Sequence, residues 1–330
     1  MMDFHTFFKG RNVLVTGGLG FIGSNLAHKL VELGAVVTLV DDLDPGGGGN
    51  MFNISGIEER LKVEVVDAGD IPQMEGLVIS QDIMFNLAGQ TSHLGSIRDP
   101  LQDLEINTVN QVKILELCRR QNPRIRIIYA GTRQIYGRPQ YLPVDEKHLA
   151  APADYNGVSK RAGEMYHLVV NRIYGMWTAV LRLTNVYGPR MRVKDERQNF
   201  IGWWFHQILE GEELSVFGDG QQVRDINYVD DVIEALLLCS MSLVAEGEIY
   251  NLANDPVILL DLARLMIEVN GGGKYRLTPF PKDRKRIEIG DYFGDYNKIL
   301  TQLGWRPKIL LRDGVEKTLA YYRQYKEHYW

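Results

Sequence analysis

Cysteine is nearly absent: Cys118 and Cys239 are the only two in 330 residues, and both fall inside apolar helical patterns. That usage leaves no disulfide framework and reads as buried thiols in a reducing compartment, so a cytoplasmic protein is expected. Clustered positive charge is also missing, and the formal net charge is −5. A nucleic-acid partner, which needs a concentrated basic face, is therefore not expected. No apolar run approaches the ~18 residues that cross a bilayer, and the first ten residues carry no hydrophobic leader. Neither a membrane nor a metal partner is expected. Internal repeats are lacking, and low complexity is confined to Gly46–Gly49.

What is present is an alternation of short apolar segments with amphipathic ones. Arg11–Thr16 reads as a strand that runs into glycines, and Phe21–Leu33 has the helical spacing of Ile22, Leu26, Leu30 and Leu33. Further strands are expected at Val36–Val40, Val63–Val66, Ile83–Leu87, Ile125–Ala130 and Thr178–Arg182, with helices such as Leu104–Arg120 and Val158–Tyr174 between them. This rhythm predicts an α/β fold, a Rossmann-type doubly wound parallel sheet covered on both faces. Past about Asn185 the rhythm changes to turns, short extended pieces and the helices Phe200–Leu209 and Val229–Leu243. We expect residues 1–184 to form the dinucleotide-binding domain and residues 185–330 mainly a smaller C-terminal α/β lobe. About 225–255 should return to the first domain, with Ile249–Leu252 as the last strand. Trp203, Trp204 and Phe205 sit where either a ligand pocket or core would use them; core is the commoner role.

Gly17, Gly20 and Gly23 stand at GxxGxxG spacing between the first strand and the first helix. Glycine there permits the tight turn, lets backbone N–H groups approach a pyrophosphate, and places a helix N-terminus behind it. Asp41 follows the second strand about 20 residues on, where a carboxylate accepts from a ribose 2′-hydroxyl and repels a 2′-phosphate. The combination predicts NAD rather than NADP. Asp67, after the third strand, is a candidate contact for the adenine, a solvated loop acid being the plainer reading.

Beyond that turn, the sequence resembles the extended short-chain dehydrogenase/reductases, the nucleotide-sugar epimerase and dehydratase group typified by UDP-glucose 4-epimerase. The likeness runs through Asn86-Leu-Ala-Gly89, Thr132-Arg-Gln-Ile-Tyr-Gly137, Gly157-Val-Ser-Lys160 and Leu183-Thr-Asn-Val-Tyr-Gly-Pro189. It continues with Gly218-Asp-Gly-Gln-Gln-Val-Arg-Asp225 before Tyr228-Val-Asp-Asp231, and ends at Leu303-Gly-Trp305. The resemblance implies cofactor contacts from Phe21, Ile22, Ala68, Leu87 and Ala88, with Lys160 binding the nicotinamide ribose. It implies that Thr132 is the catalytic hydroxyl. Gln90, Gln134, Asn185, Arg190, Arg224 and Arg286 become candidate substrate contacts, the arginines for a diphosphate. A homodimer is implied too, through the Leu104–Arg120 and Val158–Tyr174 helices.

Two departures stand out. The family's motif has tyrosine four residues before the lysine, and here that position holds Asn156; Tyr155 is five back, displaced by ~100° around a helix. Oxidising a sugar alcohol requires a base, and an amide is none near neutral pH. Three readings stay open. Tyr155 reaches the site from a non-helical segment, His93 in the loop after Gly89 is the base, or Asn156 only orients substrate in a protein with an altered redox step. Secondly, family 4,6-dehydratases place an Asp-Glu pair directly after the catalytic threonine, whereas this chain has Arg133 and Gln134. Dehydration is therefore disfavoured. The expected activity is NAD-dependent epimerisation of a nucleotide-diphosphate sugar through a keto-sugar, 4-epimerisation first among the options. Alternatives are a nucleotide-sugar decarboxylase, suggested by Gly188-Pro-Arg-Met191, a net oxidoreductase, and a non-catalytic binding protein.

Overall fold

The computed structural model describes residues 3–195 and 199–330. Its strands are β1 (Asn12–Thr16), β2 (Val36–Asp41), β3 (Lys62–Val65), β4 (Ile83–Asn86), β5 (Arg126–Thr132), β6 (Thr178–Leu183), β7 (Asn185–Tyr187), β8 (Leu214–Phe217), β9 (Val223–Tyr228), β10 (Ile249–Asn251), β11 (Pro256–Ile258) and β12 (Tyr275–Thr278). Seven of them form one sheet in the order β10-β6-β5-β4-β1-β2-β3, and every pairing in it is parallel. Such a sheet is covered on both faces, which is why β4 and β6 are buried along their whole length. From β1 the chain steps to β2 on one side, and β4 returns on the other. That reversal opens a crevice beyond the carboxyl ends of β1 and β4, the place where open α/β sheets bind ligands. Thr16 pins the two strand ends together: its hydroxyl donates to Asn86 Oδ1 at 2.9 Å and accepts from Leu87 N–H at 3.1 Å and Ala88 N–H at 3.2 Å.

After β6 the chain builds a three-stranded sheet, β11-β9-β7, and a two-stranded one, β12-β8. Then β10 comes back to pair with β6 at the sheet edge, Tyr250 opposite Leu181. One apolar cluster runs from Val13, Leu26 and Leu39 through Trp204 and Phe205 to Leu319 and Tyr322, so the first sheet and the C-terminal helices share a core. Trp204 and Phe205 are thus core residues, while Trp203 stacks on His206 at 4.7 Å.

Two helical boundaries depart from the sequence reading. The helix expected from Val158 begins at Tyr155, because Asp154 caps it, accepting the Gly157 N–H at 2.8 Å. The expected Leu104–Arg120 helix is broken into Pro100–Leu104, a π-helical turn over Glu105–Val109, and Asn110–Gln121. No helix among the described residues is long and apolar enough to cross a membrane.

Candidate active site

The glycine turn is built for close approach. Gly17 has φ +67°, and a β-carbon on it would stand 3.0 Å from Ala88 N; one on Gly23 would fall onto the Gly17 carbonyl oxygen. Gly20 caps the Phe21–Glu32 helix with no side chain in the way, so Phe21, Ile22 and Gly23 form its first turn. These residues leave a backbone cradle and a bare helix N-terminus at the crevice, the features a dinucleotide pyrophosphate requires. Asp41 ends β2, accepting from Leu19 N–H and Leu43 N–H at 3.0 Å each. Burial pushes its carboxyl above the ordinary value despite those bonds. Asp67 is exposed, and its carboxylate closes a turn by accepting from Gly69 N–H at 2.8 Å; Ala68 beside it is buried in the second apolar cluster. Leu87 and Ala88 are held at the crevice floor by Thr16.

Lys160 lies on the Tyr155–Tyr174 helix and is buried. Its ammonium has Gly89 directly against it: a β-carbon there would overlap Nζ. Burial lowers the ammonium to about 8, with the charge of Asp103 working in the opposite direction. One turn earlier, Asn156 is also buried, and its amide donates to Gln90 O at 2.9 Å, Gln90 Oε1 at 3.2 Å and Asp103 Oδ1 at 3.0 Å.

Thr132 ends β5 and caps the following 3-10 turn, Arg133–Tyr136, accepting from Gln134 N–H at 3.2 Å. The Gln134 side chain then reaches His93, its Nε2 lying 2.7 Å from the ring Nε2. The other ring nitrogen, Nδ1, meets Asp154 Oδ2 at 2.8 Å. Burial raises the Asp154 carboxyl, but the hydrogen bond and charge of His93, with the Gly157 N–H, outweigh it and hold the group below its ordinary value. Gln134 therefore joins Thr132 to a histidine seated on a carboxylate.

These positions correct two expectations. His93 is not in a loop: it is the first residue of a short helix, His93–Arg98, capped by Ser92. Tyr155 is not in a non-helical segment: it is the first residue inside the capped helix and is 54% exposed.

Two of the three substrate-side arginines are already engaged. Arg190, at φ +71°, donates to Asn53 O at 3.0 Å and Asn25 Oδ1 at 2.9 Å, tying its loop to the cofactor helix. Arg224 is buried and donates to Gly290 O and Glu288 Oε1, both at 2.7 Å. Arg286 closes the short Lys282–Arg286 helix and is exposed. Asn185 donates to Asp225 O at 3.3 Å from β7. The guanidinium of Arg133 lies 4.8 Å from the Tyr292 ring centre, and burial and the nearby Arg224 charge lower its pKa. Among the described residues no group of three or more histidine, cysteine or acidic side chains is arranged to hold a metal.

Residues 13–253 match the model of the NAD dependent epimerase/dehydratase family, a span covering the glycine turn, the Thr132 turn and Lys160. The chain belongs to that family.

Its cofactor is NAD, and the glycine cradle and the acid at the end of β2 fit it. The chain is 33% identical to a putative UDP-glucose 4-epimerase of Methanocaldococcus jannaschii, the alignment covering 93% of this chain and 97% of that protein. A UDP-glucose 4-epimerase of Thermotoga maritima, solved with UDP-glucose, superposes with TM-score 0.86 at 31% identity over 96% of this chain and 99% of that one. The Thermus thermophilus UDP-glucose 4-epimerase in complex with NAD gives TM-score 0.84 at 28% identity over 94% and 99%. Within this NAD-dependent family member, sequence reasoning missed Asp154 and Asp103. Both acids reach their partners across long sequence separations: 61 residues from His93 to Asp154, and 53 from Asp103 to Asn156. Only the position of Asp154 just ahead of the helix hinted at its capping role.

Proposed function

We propose that this chain is an NAD-dependent epimerase of a nucleotide-diphosphate sugar, inverting one ring carbinol through transient oxidation, with C4 the first position to test. The observation that carries the reading is the Thr132–Gln134–His93–Asp154 line at the carboxyl ends of the sheet. Thr132 would hydrogen-bond the reacting sugar oxygen. His93, with Nδ1–H given to the Asp154 carboxylate, presents Nε2 as the base that takes the hydroxyl proton and later returns it. Gln134 hydrogen-bonds that nitrogen and would turn to a sugar hydroxyl when substrate enters. NAD, when bound, supplies the hydride acceptor and donor. Lys160 would hold the nicotinamide ribose, and Asn156 with Gln90 would close the floor beside it. Asp41 would take the adenosine ribose, with Asp67 and Ala68 near the adenine. Arg224, Arg286 and Asn185 would meet the nucleotide diphosphate, Arg224 exchanging its present partners for phosphate oxygens; Arg190 would act from the same side by holding the loop.

A homodimer and a cytoplasmic location go with this reading. Support for the first is an apolar stripe on one helix, Tyr155, Val158, Tyr166 and Ile173, beside the exposed Ile97, Leu101 and Leu104. Support for the second is that both cysteines are free and buried.

The test is incubation of purified protein with UDP-, GDP-, CDP- and dTDP-sugars, following sugar configuration by NMR. An epimer formed without added NAD is the expected result. Tight binding of nucleotide sugars with no epimer and no reduced cofactor would overturn it.

A further inference from the structure

The π-helical turn Glu105–Val109 lies where the chain passes beneath Lys160, and π turns interrupt helices mainly at functional sites. Two polar residues have no access to solvent here, Asp103 just before the turn and Asn107 within it. Asp103 Oδ1 accepts two amides, Asn107 Nδ2 and Asn156 Nδ2, each at 3.0 Å. Asp103 Oδ2 has no partner, and neither do Asn107 Oδ1 and the Tyr129 hydroxyl. Burying a carboxylate with one oxygen unsatisfied is costly unless a cation stands near.

The nearby cation is Lys160, whose Nζ lies 5.8 Å from the Tyr129 ring centre. A β-carbon on Gly89 would overlap that Nζ while lying 2.9 Å from Asn107 Oδ1, so ammonium and orphan acceptor share one small space. Lys160 forms no ion pair within 4.0 Å among the described residues. The other ionisable groups packed around it do not neutralise it. Glu164 is taken by Arg161 and by Arg182 at 2.6 Å. His167 is kept uncharged by burial, which lowers it to about 4. Tyr129 is held protonated by burial.

We propose that Asp103 is the buried counter-charge of Lys160 and that Asn156 is there to hold it. This rests on the reading of Lys160 as the ligand of the nicotinamide ribose. Asp103 is a positioning residue: it acts through Lys160. An amide suits position 156 because it donates to the carboxylate without adding a charge of its own.

The test compares wild type with Asp103→Asn, Asp103→Glu and Asn156→Ala. It reads the pH midpoint of Lys160 in cofactor-free protein by lysine-selective NMR, and NAD affinity against pH. The wild-type midpoint is expected near pH about 8. Removing a negative charge that favours the ammonium must move it down, by about one unit for Asp103→Asn, or about tenfold in the proton equilibrium. NAD affinity should then fall at pH 8 and persist at pH 6. Asp103→Glu should restore the midpoint in part, and Asn156→Ala should shift it in the same direction by less. An unmoved midpoint in folded Asp103→Asn, or NAD affinity lost equally at all pH values, overturns the proposal. If Asp103→Asn does not fold, an unmoved midpoint in Asn156→Ala overturns it. The cofactor-free titration tests the charge pair even if no nucleotide sugar is epimerised, an outcome that would sink only the functional reading.

Discussion

Asp154 divides its carboxylate between two tasks, one oxygen capping the Tyr155–Tyr174 helix and the other seating His93. The cap ties the imidazole to the helix start, and in the proposed function a base held in place and joined to Thr132 through Gln134 is what proton removal needs. His93→Gln should therefore lower kcat by about 10²–10⁴, the range for a general base, with bound NAD retained. Tyr155→Phe, which changes an exposed phenol, should leave kcat within about twofold, inside the range of surface substitutions. Steady-state rates with the substrate identified from the nucleotide-sugar panel check both, and equal losses in the two variants would contradict the assignment of His93. At this scale the sequence was most legible where chemistry is written in fixed local spacing. Gly17, Gly20 and Gly23, with Asp41 after the next strand, could be read directly, and Thr132 and Lys160 followed from their motifs. Asp103 was not readable, because its meaning comes from residues brought to it by folding.

At the scale of elements, the strand–turn–helix from Asn12 to Glu32 works only if nothing protrudes at its crossing. Gly23→Ala should push the helix off the Gly17 carbonyl, lowering stability by about 1–3 kcal/mol and weakening NAD binding. Gly76→Ala is the control, since a β-carbon there meets no atom within 4 Å and removes a glycine from a helix; its Tm should stay level or rise slightly. The apolar periodicity located every strand of the main sheet, including the returning β10. It missed the first turn of the Tyr155–Tyr174 helix because the unbroken helical pattern in the sequence starts at Val158, and Asn156 and Gly157 add nothing apolar to it. It missed the π turn for a related reason: apolar spacing within Leu104–Arg120 fits one helix even though the hydrogen-bond register changes inside it. Both misses matter, since the first put Tyr155 within apparent reach of the site and the second concealed Asp103.

The whole molecule joins the cofactor sheet and the C-terminal helices through one continuous core. The helical stripe ending at Ile173, which is 63% exposed, is left uncovered. A polar charge there, Ile173→Asp, should convert a dimer to monomers by analytical ultracentrifugation while the fold, read by circular dichroism, is unchanged. A wild-type monomer would exclude the dimer. At the centre of the proposed function, oxidation and reduction occur at one carbon with no net consumption of cofactor. The most direct test supplies nucleotide sugar deuterated at C4 to protein carrying its own NAD. The expected product is the C4 epimer with deuterium still at C4, no release of NADH, and no incorporation of solvent hydrogen at that carbon. Epimer formed with loss of the label to solvent, or NADH accumulating in step with product, would contradict it.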